Sequence, residues 1–238
     1  MNRIPQVIRH AVDKSITITP EQPAFSLIWL HGLGDSSEGF YEYFMHPKSP
    51  VYIGGRIRLL QAPLRPVTIN SGYPFNSWYD IKALNKTSGK EEDLYSVQEV
   101  KESAEIIDKE VQSEAQFWKS QPNKELIHPY HRIYVGGFSQ GCAMSLYYGL
   151  QCANPIAGLV GFSGYLFESV KLTNLDKTSV LLNHGEVDSM IGEGFAKHSY
   201  SRLLKHPNVK YHSIPDLDHT VGLDQLIKLT KWMKTRQL

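Results

Sequence analysis

The sequence predicts an α/β fold with a mostly parallel central sheet and helices on both of its faces. Six strand-like apolar runs, several of them apolar nearly throughout, are spread along the chain, and helical patterns lie between them. The composition, 41% hydrophobic and 21% charged over 238 residues, is enough for one sizeable core. No repeat, low-complexity tract or compositional shift marks a boundary, so the chain reads as one domain over 1–238.

The strand runs, in order, are FSLIWLH (25–31), IRLLQAP (57–63), RIYVGGF (132–138), IAGLVGFS (156–163), SVLLNHG (179–185) and VKYHSIP (209–215). Several are apolar nearly throughout, as strands covered on both faces must be. Between the second and third, Leu94, Val97, Val100, Ala104, Ile107 and Val111 recur at spacings of 3 and 4 and form one helical stripe for packing on the sheet. FWKSQPNKELIHPYH (117–131) is polar and punctuated by proline, which predicts a surface excursion before the next strand. The segment after Ser139 reads as a helix carrying Cys142 and Cys152, and ten residues of helix would hold these thiols about 15 Å apart, beyond disulfide reach. Both are expected to be reduced, in a cytoplasmic protein. LDQLIKLTKWMKTRQL (223–238) reads as a terminal helix packed on the sheet; its Lys228, Lys231, Lys234 and Arg236 support at most transient contact with a membrane surface.

Charge narrows the partners. With 25 basic and 24 acidic residues the net charge is +1, so no field draws nucleic acid to the chain. The opening MNRIPQVIRHAVDKS lacks the apolar core of a signal peptide, and no window approaches the ~18 apolar residues of a membrane span. His128 and His131 have a ligand-like offset without a third ligand, and the glycine pair Gly32 and Gly34 lacks the Lys-Ser/Thr that follows a phosphate loop. No metal and no cofactor are expected.

The chemistry concentrates in VGGFSQGCAMSLYYGL (135–150), where Gly137, Phe138, Ser139, Gln140 and Gly141 form G-x-S-x-G. A strand that reverses abruptly into a helix brings the residues two before and two after the serine together, which leaves room only for glycine. Chance would supply about 0.08 such motifs in a chain of this length, so its setting matters. Here an apolar strand leads in and a small-residue helix leads out, the setting of a nucleophile elbow.

Serine needs a histidine base, itself oriented by a carboxylate. Of the downstream histidines, His212 falls inside a strand run, His198 and His206 fall in a helical stretch, and His184 comes too early to leave an acid between itself and the serine. His219, in the loop DLDHTVG directly after a strand, is the best base. Asp188, in HGEVDSMIG after the preceding strand, is the matching acid, and Glu186 remains its alternative; Asp216 and Asp218 are rivals whose simpler role is in the loop or at a helix cap. An oxyanion hole requires the N–H of Gln140 and a second from an earlier loop, for which WLHGLGDSSEGF (29–40) is suited.

Together, LHGLGDS, QAPLRPVTINSGYPFNSWYDI, VGGFSQGCAMSLYYGL and HGEVDSMIG followed by DLDHT resemble the acyl-protein thioesterase, or phospholipase/carboxylesterase, family of alpha/beta hydrolases. The resemblance covers the chain from about Phe25 onward and implies the alpha/beta-hydrolase fold. It implies Ser139 as nucleophile, Asp188 as acid, His219 as base, and the amides of Leu33 and Gln140 as oxyanion donors. It also implies that 70–80 helps to form an acyl channel, which gives Tyr73, Phe75 and Trp78 a substrate-binding role; core packing is the competing reading for each. The implied partners are acylated proteins, lysophospholipids or small esters, and a homodimer is left open.

Overall fold

The apolar runs of the sequence become strands of one eight-stranded sheet in the computed structural model, which describes residues 5–45, 54–84, 87–122 and 127–235. The elements in order are β1 (Gln6–Arg9), β2 (Ile16–Thr19), β3 (Phe25–Leu30), α1 (Ser37–Met45), β4 (Gly55–Leu60), β5 (Leu64–Val67), β6 (Tyr73–Asn76), α2 (Val97–Lys119), β7 (Ile133–Phe138), α3 (Gln140–Gly149), β8 (Gly158–Phe162), β9 (Ser179–Gly185), α4 (Glu193–Ser199), β10 (Val209–Ile214) and α5 (Leu223–Lys234). Across the sheet the order is β1-β2-β4-β3-β7-β8-β9-β10. The six strands from β4 to β10 run parallel, and β1 and β2 add antiparallel strands at one edge.

Alternation along the buried strands divides the core between the two faces. Ile28, Leu30, Val135 and Leu182 pack with Val100, Ile107 and Val111 of α2 and with Ala143 and Leu146 of α3. Leu27, Trp29, Val160 and Leu181 pack on the other face with Phe40 and Phe44 of α1 and with Leu226, Leu229 and Trp232 of α5. The terminal helix is thus a sheet-packing element, as its apolar pattern predicts; the side chain of Lys234, and Arg236, lie outside the described residues.

Several boundaries differ from the sequence reading. Helix α2 begins after Ser96, whose Oγ accepts the Glu99 N–H at 3.4 Å, so Leu94 of the apolar stripe precedes the helix. The same helix runs on to Lys119 because Trp118 is buried against the sheet, which leaves the excursion to start at Ser120; residues 123–126 of it lie outside the described residues. Helix α3 stops at Gly149, so Cys152 lies beyond the helix that carries Cys142; both thiols are free. The strands β1, β2, β5 and β6 were not among the apolar runs, and β5 and β6 pair with each other as a separate antiparallel hairpin. No helix among the described residues is long and apolar enough to cross a membrane.

Candidate active site

Strands β7, β9 and β10 release their chains at one end of the sheet, and the loops that follow carry Ser139, Asp188 and His219. Ser139 sits between β7 and α3 with φ 54° and ψ −117°, a left-handed backbone that a β-carbon disfavours. Its own N–H donates to the Phe162 carbonyl at 2.9 Å, which anchors the turn to β8. The flanking glycines are steric necessities: a Cβ on Gly137 would overlap the Gly141 backbone, and one on Gly141 would overlap the Leu30 carbonyl oxygen.

A continuous hydrogen-bonded chain joins the three side chains. His219 Nε2 lies 2.9 Å from Ser139 Oγ, and Nδ1 lies 2.8 Å from Asp188 Oδ2. With Nδ1–H donating to the carboxylate, Nε2 is left to accept the serine proton. The acid is fully enclosed, and its Oδ1 accepts the N–H groups of Met190 at 3.0 Å and Ile191 at 2.8 Å. His184, from β9, donates Nε2–H to the Ile191 carbonyl at 2.7 Å and lies 3.3 Å from Asp188 Oδ2, so it supports the turn that holds the acid. Burial pushes the His184 pKa down, which keeps this ring neutral.

The loop after β3 lies directly on the elbow: a Cβ on Gly32 would stand 3.4 Å from the Ser139 Cβ. His31 fixes this loop from beneath. Its Nδ1–H donates to the Gly32 carbonyl at 2.6 Å and its Nε2 accepts the Ala62 N–H at 3.0 Å, a pair of bonds that only the neutral ring can make. Burial holds its pKa below the ordinary imidazole range. Gly34, at φ 80°, turns the chain and donates its N–H to the Asn76 carbonyl at 2.9 Å, so the loop is also tied to β6. Leu33 lies within this loop, and the Gln140 N–H opens α3, where the first amides of a helix have no partner within it.

The Gln140 side chain has a role that sequence reasoning missed. It is 2% exposed and turns away from the loop mouth; Oε1 accepts the Trp78 N–H at 2.9 Å, and Nε2 donates to the Tyr79 carbonyl at 2.7 Å. The elbow is thereby pinned to the segment that follows β6. The only sequence signal for this was the amide type itself, which offers two N–H donors and an acceptor oxygen from a single side chain, the second donor reaching the Ser77 hydroxyl at 3.0 Å.

The three aromatics expected at an acyl channel separate. Tyr73 is 68% exposed on the β5–β6 hairpin, and Phe75 is half-buried beside Gly34. Trp78 is a correction: it is completely buried, its Nε1–H donates to the His31 carbonyl at 2.9 Å, and it belongs to the core beneath the loop instead of to an open channel wall. Among the rival residues, Glu186 is exposed, His212 lies within β10, and His206 pairs with Asp176 at 3.0 Å. Asp218 Oδ1 accepts N–H groups of Ser189 and His219 and the Ser189 hydroxyl. Among the hydrogen bonds of the described residues, only His219 of these histidines reaches Ser139.

Known proteins resemble this chain over most of its length. The acyl-protein thioesterase 1 of Mycosarcoma maydis is 32% identical over 94% of this chain and 97% of its own. The acyl-protein thioesterase 1 homolog 1 of Dictyostelium discoideum is 33% identical over 87% of this chain and 88% of its own, and a probable carboxylesterase, SOBER1-like, of Arabidopsis thaliana is 30% identical over 88% and 78%. Among solved structures, Arabidopsis thaliana SOBER1 superposes with a TM-score of 0.70 at 26% identity, covering 90% of this chain and 99% of its own. The alpha/beta-hydrolase fold expected from the sequence is therefore borne out. The family model of phospholipases and carboxylesterases matches residues 12–237, a span that takes in every strand of the sheet except β1 and all three loops at its end, and the chain belongs to that family.

Proposed function

We propose that this chain is a serine hydrolase that cleaves acyl thioesters and esters through an acyl-enzyme, with Ser139 as nucleophile, His219 as base and Asp188 as orienting acid. The observation that carries the reading is the unbroken relay from Asp188 through His219 to Ser139, at 2.8 and 2.9 Å. As Ser139 Oγ attacks the acyl carbonyl, its proton passes to His219 Nε2, and the imidazolium is stabilised by Asp188. The tetrahedral oxyanion is held by the N–H groups of Leu33 and Gln140. Collapse expels the thiolate or alkoxide, which takes the proton from His219. Water then attacks the acyl-enzyme with His219 again as base, and Ser139 is regenerated. We read the chain as one domain over 1–238.

Relatives named acyl-protein thioesterase support acylated proteins as substrates, and the family of phospholipases and carboxylesterases adds lysophospholipids as a related class. A second reading, a carboxylesterase for short soluble esters, is favoured by the relative described as a probable carboxylesterase. The reaction is the same in both, and the acyl-binding surface decides between them. The test is kcat/KM for acyl thioesters of increasing chain length, beside matched oxyesters and a Ser139→Ala control. A rise with chain length supports the thioesterase reading, and a maximum at short chains supports the carboxylesterase. A Ser139→Ala variant as active as wild type would sink the nucleophile assignment.

A further inference from the structure

We propose that Asp218 is a positioning residue whose carboxylate clasps the loop carrying the base to the loop carrying the acid. The inference rests on the reading of Ser139, Asp188 and His219 as the triad, and it concerns how two of its members are kept in register. Strands β9 and β10 are parallel neighbours, and the two loops leave them side by side. At their roots the loops are joined by backbone bonds, from Glu186 N–H to the Ile214 carbonyl at 3.0 Å and from Val187 N–H to the Leu217 carbonyl at 3.3 Å. At their tips one oxygen atom adds to the Asp188–His219 bond. Asp218 Oδ1 accepts the Ser189 N–H at 2.8 Å, the Ser189 hydroxyl at 2.8 Å and the His219 N–H at 2.7 Å.

The residues involved make a closed bracket. Ser189 follows Asp188 in the chain and Asp218 precedes His219, so the Asp188–His219 bond and the Ser189–Asp218 bonds are two rungs between the same two loops. Two residues earlier, Asp216 adopts φ 56°, a left-handed turn that directs the loop back across the end of β9. The base must hold two bonds at once, to Asp188 and to Ser139, and reacting groups displaced by about 1 Å lose on the order of a hundredfold in rate. A clasp next to the imidazole restricts the loop motion that would break either bond.

The carboxylate acts as the acceptor that joins the loops. The N–H donors of Ser189 and His219 hold its own pKa below the ordinary carboxylate range, which keeps it ionised wherever the enzyme would turn over. The other titratable groups facing His219 are Asp188 and His184, and neither is altered when Asp218 is changed.

Asparagine at this position keeps an oxygen acceptor and removes the charge, whereas alanine removes both. The experiment measures kcat and KM for p-nitrophenyl octanoate across pH 5.5 to 9 in wild type, Asp218→Ala, Asp218→Asn, Ser189→Ala and Ser139→Ala, with thermal unfolding of each. The expected result is a fall in kcat of about tenfold for Asp218→Ala with KM little changed. Ser189→Ala, which loses one of three donors, falls between it and wild type. Asp218→Asn, which keeps the acceptor, retains most of kcat. If Asp218→Ala unfolds, Asp218→Asn and Ser189→Ala decide: retained kcat in the first with a loss in the second supports the clasp, and any other pair of results overturns it. Wild-type kcat in Asp218→Ala, or equal losses in the Ala and Asn variants, would overturn the clasp. Ser139→Ala with wild-type turnover would instead overturn the triad reading beneath it, so the two failures are distinct.

Discussion

A methyl group at Gly141 would have to occupy the position of the Leu30 carbonyl oxygen, which is backbone and part of β3. Neither strand nor helix can shift without dragging the sheet, so Gly141→Ala is expected to cost at least the 1–3 kcal/mol of an overpacked core, about that amount or more in urea unfolding. A variant of wild-type stability would show that the elbow is looser than its geometry. This local necessity is why the elbow was legible in the sequence: the serine and its glycines lie within five residues of one another, and the steric reason for them is local too. Trp78 was not legible in the same way. Whether an aromatic lines a channel or closes a core depends on partners from distant segments, here the His31 carbonyl and the Gln140 amide. The assignments of Asp188 and His219 stood between these extremes, since loop position after a strand narrowed the choice without excluding Glu186.

Between elements, Gln140 supplies the join of α3 to the segment after β6, and replacing it by alanine leaves the buried Trp78 N–H without its partner, whereas the Tyr79 carbonyl keeps the Ser77 hydroxyl at 2.7 Å. The expected loss is about 1–3 kcal/mol of stability for an unsatisfied buried group, measured by denaturant unfolding. Gln140→Glu is expected to lose stability as well, because a carboxylate cannot donate to the Tyr79 carbonyl. An unchanged midpoint in both would show that the join is dispensable. Helix α2 and strand β4 meet through charge, which the apolar stripe did not disclose. Glu114 is 1% exposed and accepts from Arg56 at 3.0 Å, while Arg58 pairs with Glu110 at 2.6 Å. The alternation Arg56-Ile57-Arg58 carried the signal, since it places two guanidinium groups on one face of the strand; an apolar reading of IRLLQAP passed over it. The short strands β1 and β2 escaped for a related reason, being four residues each and too brief to stand out as apolar runs. In β5 and β6, Pro66 and Pro74 broke the pattern that would have marked the hairpin.

At the scale of the whole molecule, pH acts through histidines that enter the fold neutral. Burial lowers the pKa of His31 and of His184. Below about pH 6.5 the unfolded chain takes up protons at these two sites and the folded chain does not until lower pH, so the unfolded state holds the excess and stability falls as pH falls. The full contribution is present above that range. The urea midpoint is expected to drop between pH 7 and pH 5, and to drop less in His184→Gln; a midpoint that holds or rises over this interval would contradict the neutral assignment. The parallel centre of the sheet was the most legible part of the molecule, because strands buried on both faces are apolar over most of their length. The sheet also has an asymmetry with its own outcome. Among the described strands, β10 pairs only with β9, whereas β7, which leads into Ser139, is held on both sides by β3 and β8. On the proposed reading, nucleophile and base stand on ground of unequal firmness: fraying that started at the rim would withdraw the imidazole first, and the serine, seated in the middle of the sheet, would recover its partner when the rim closed again.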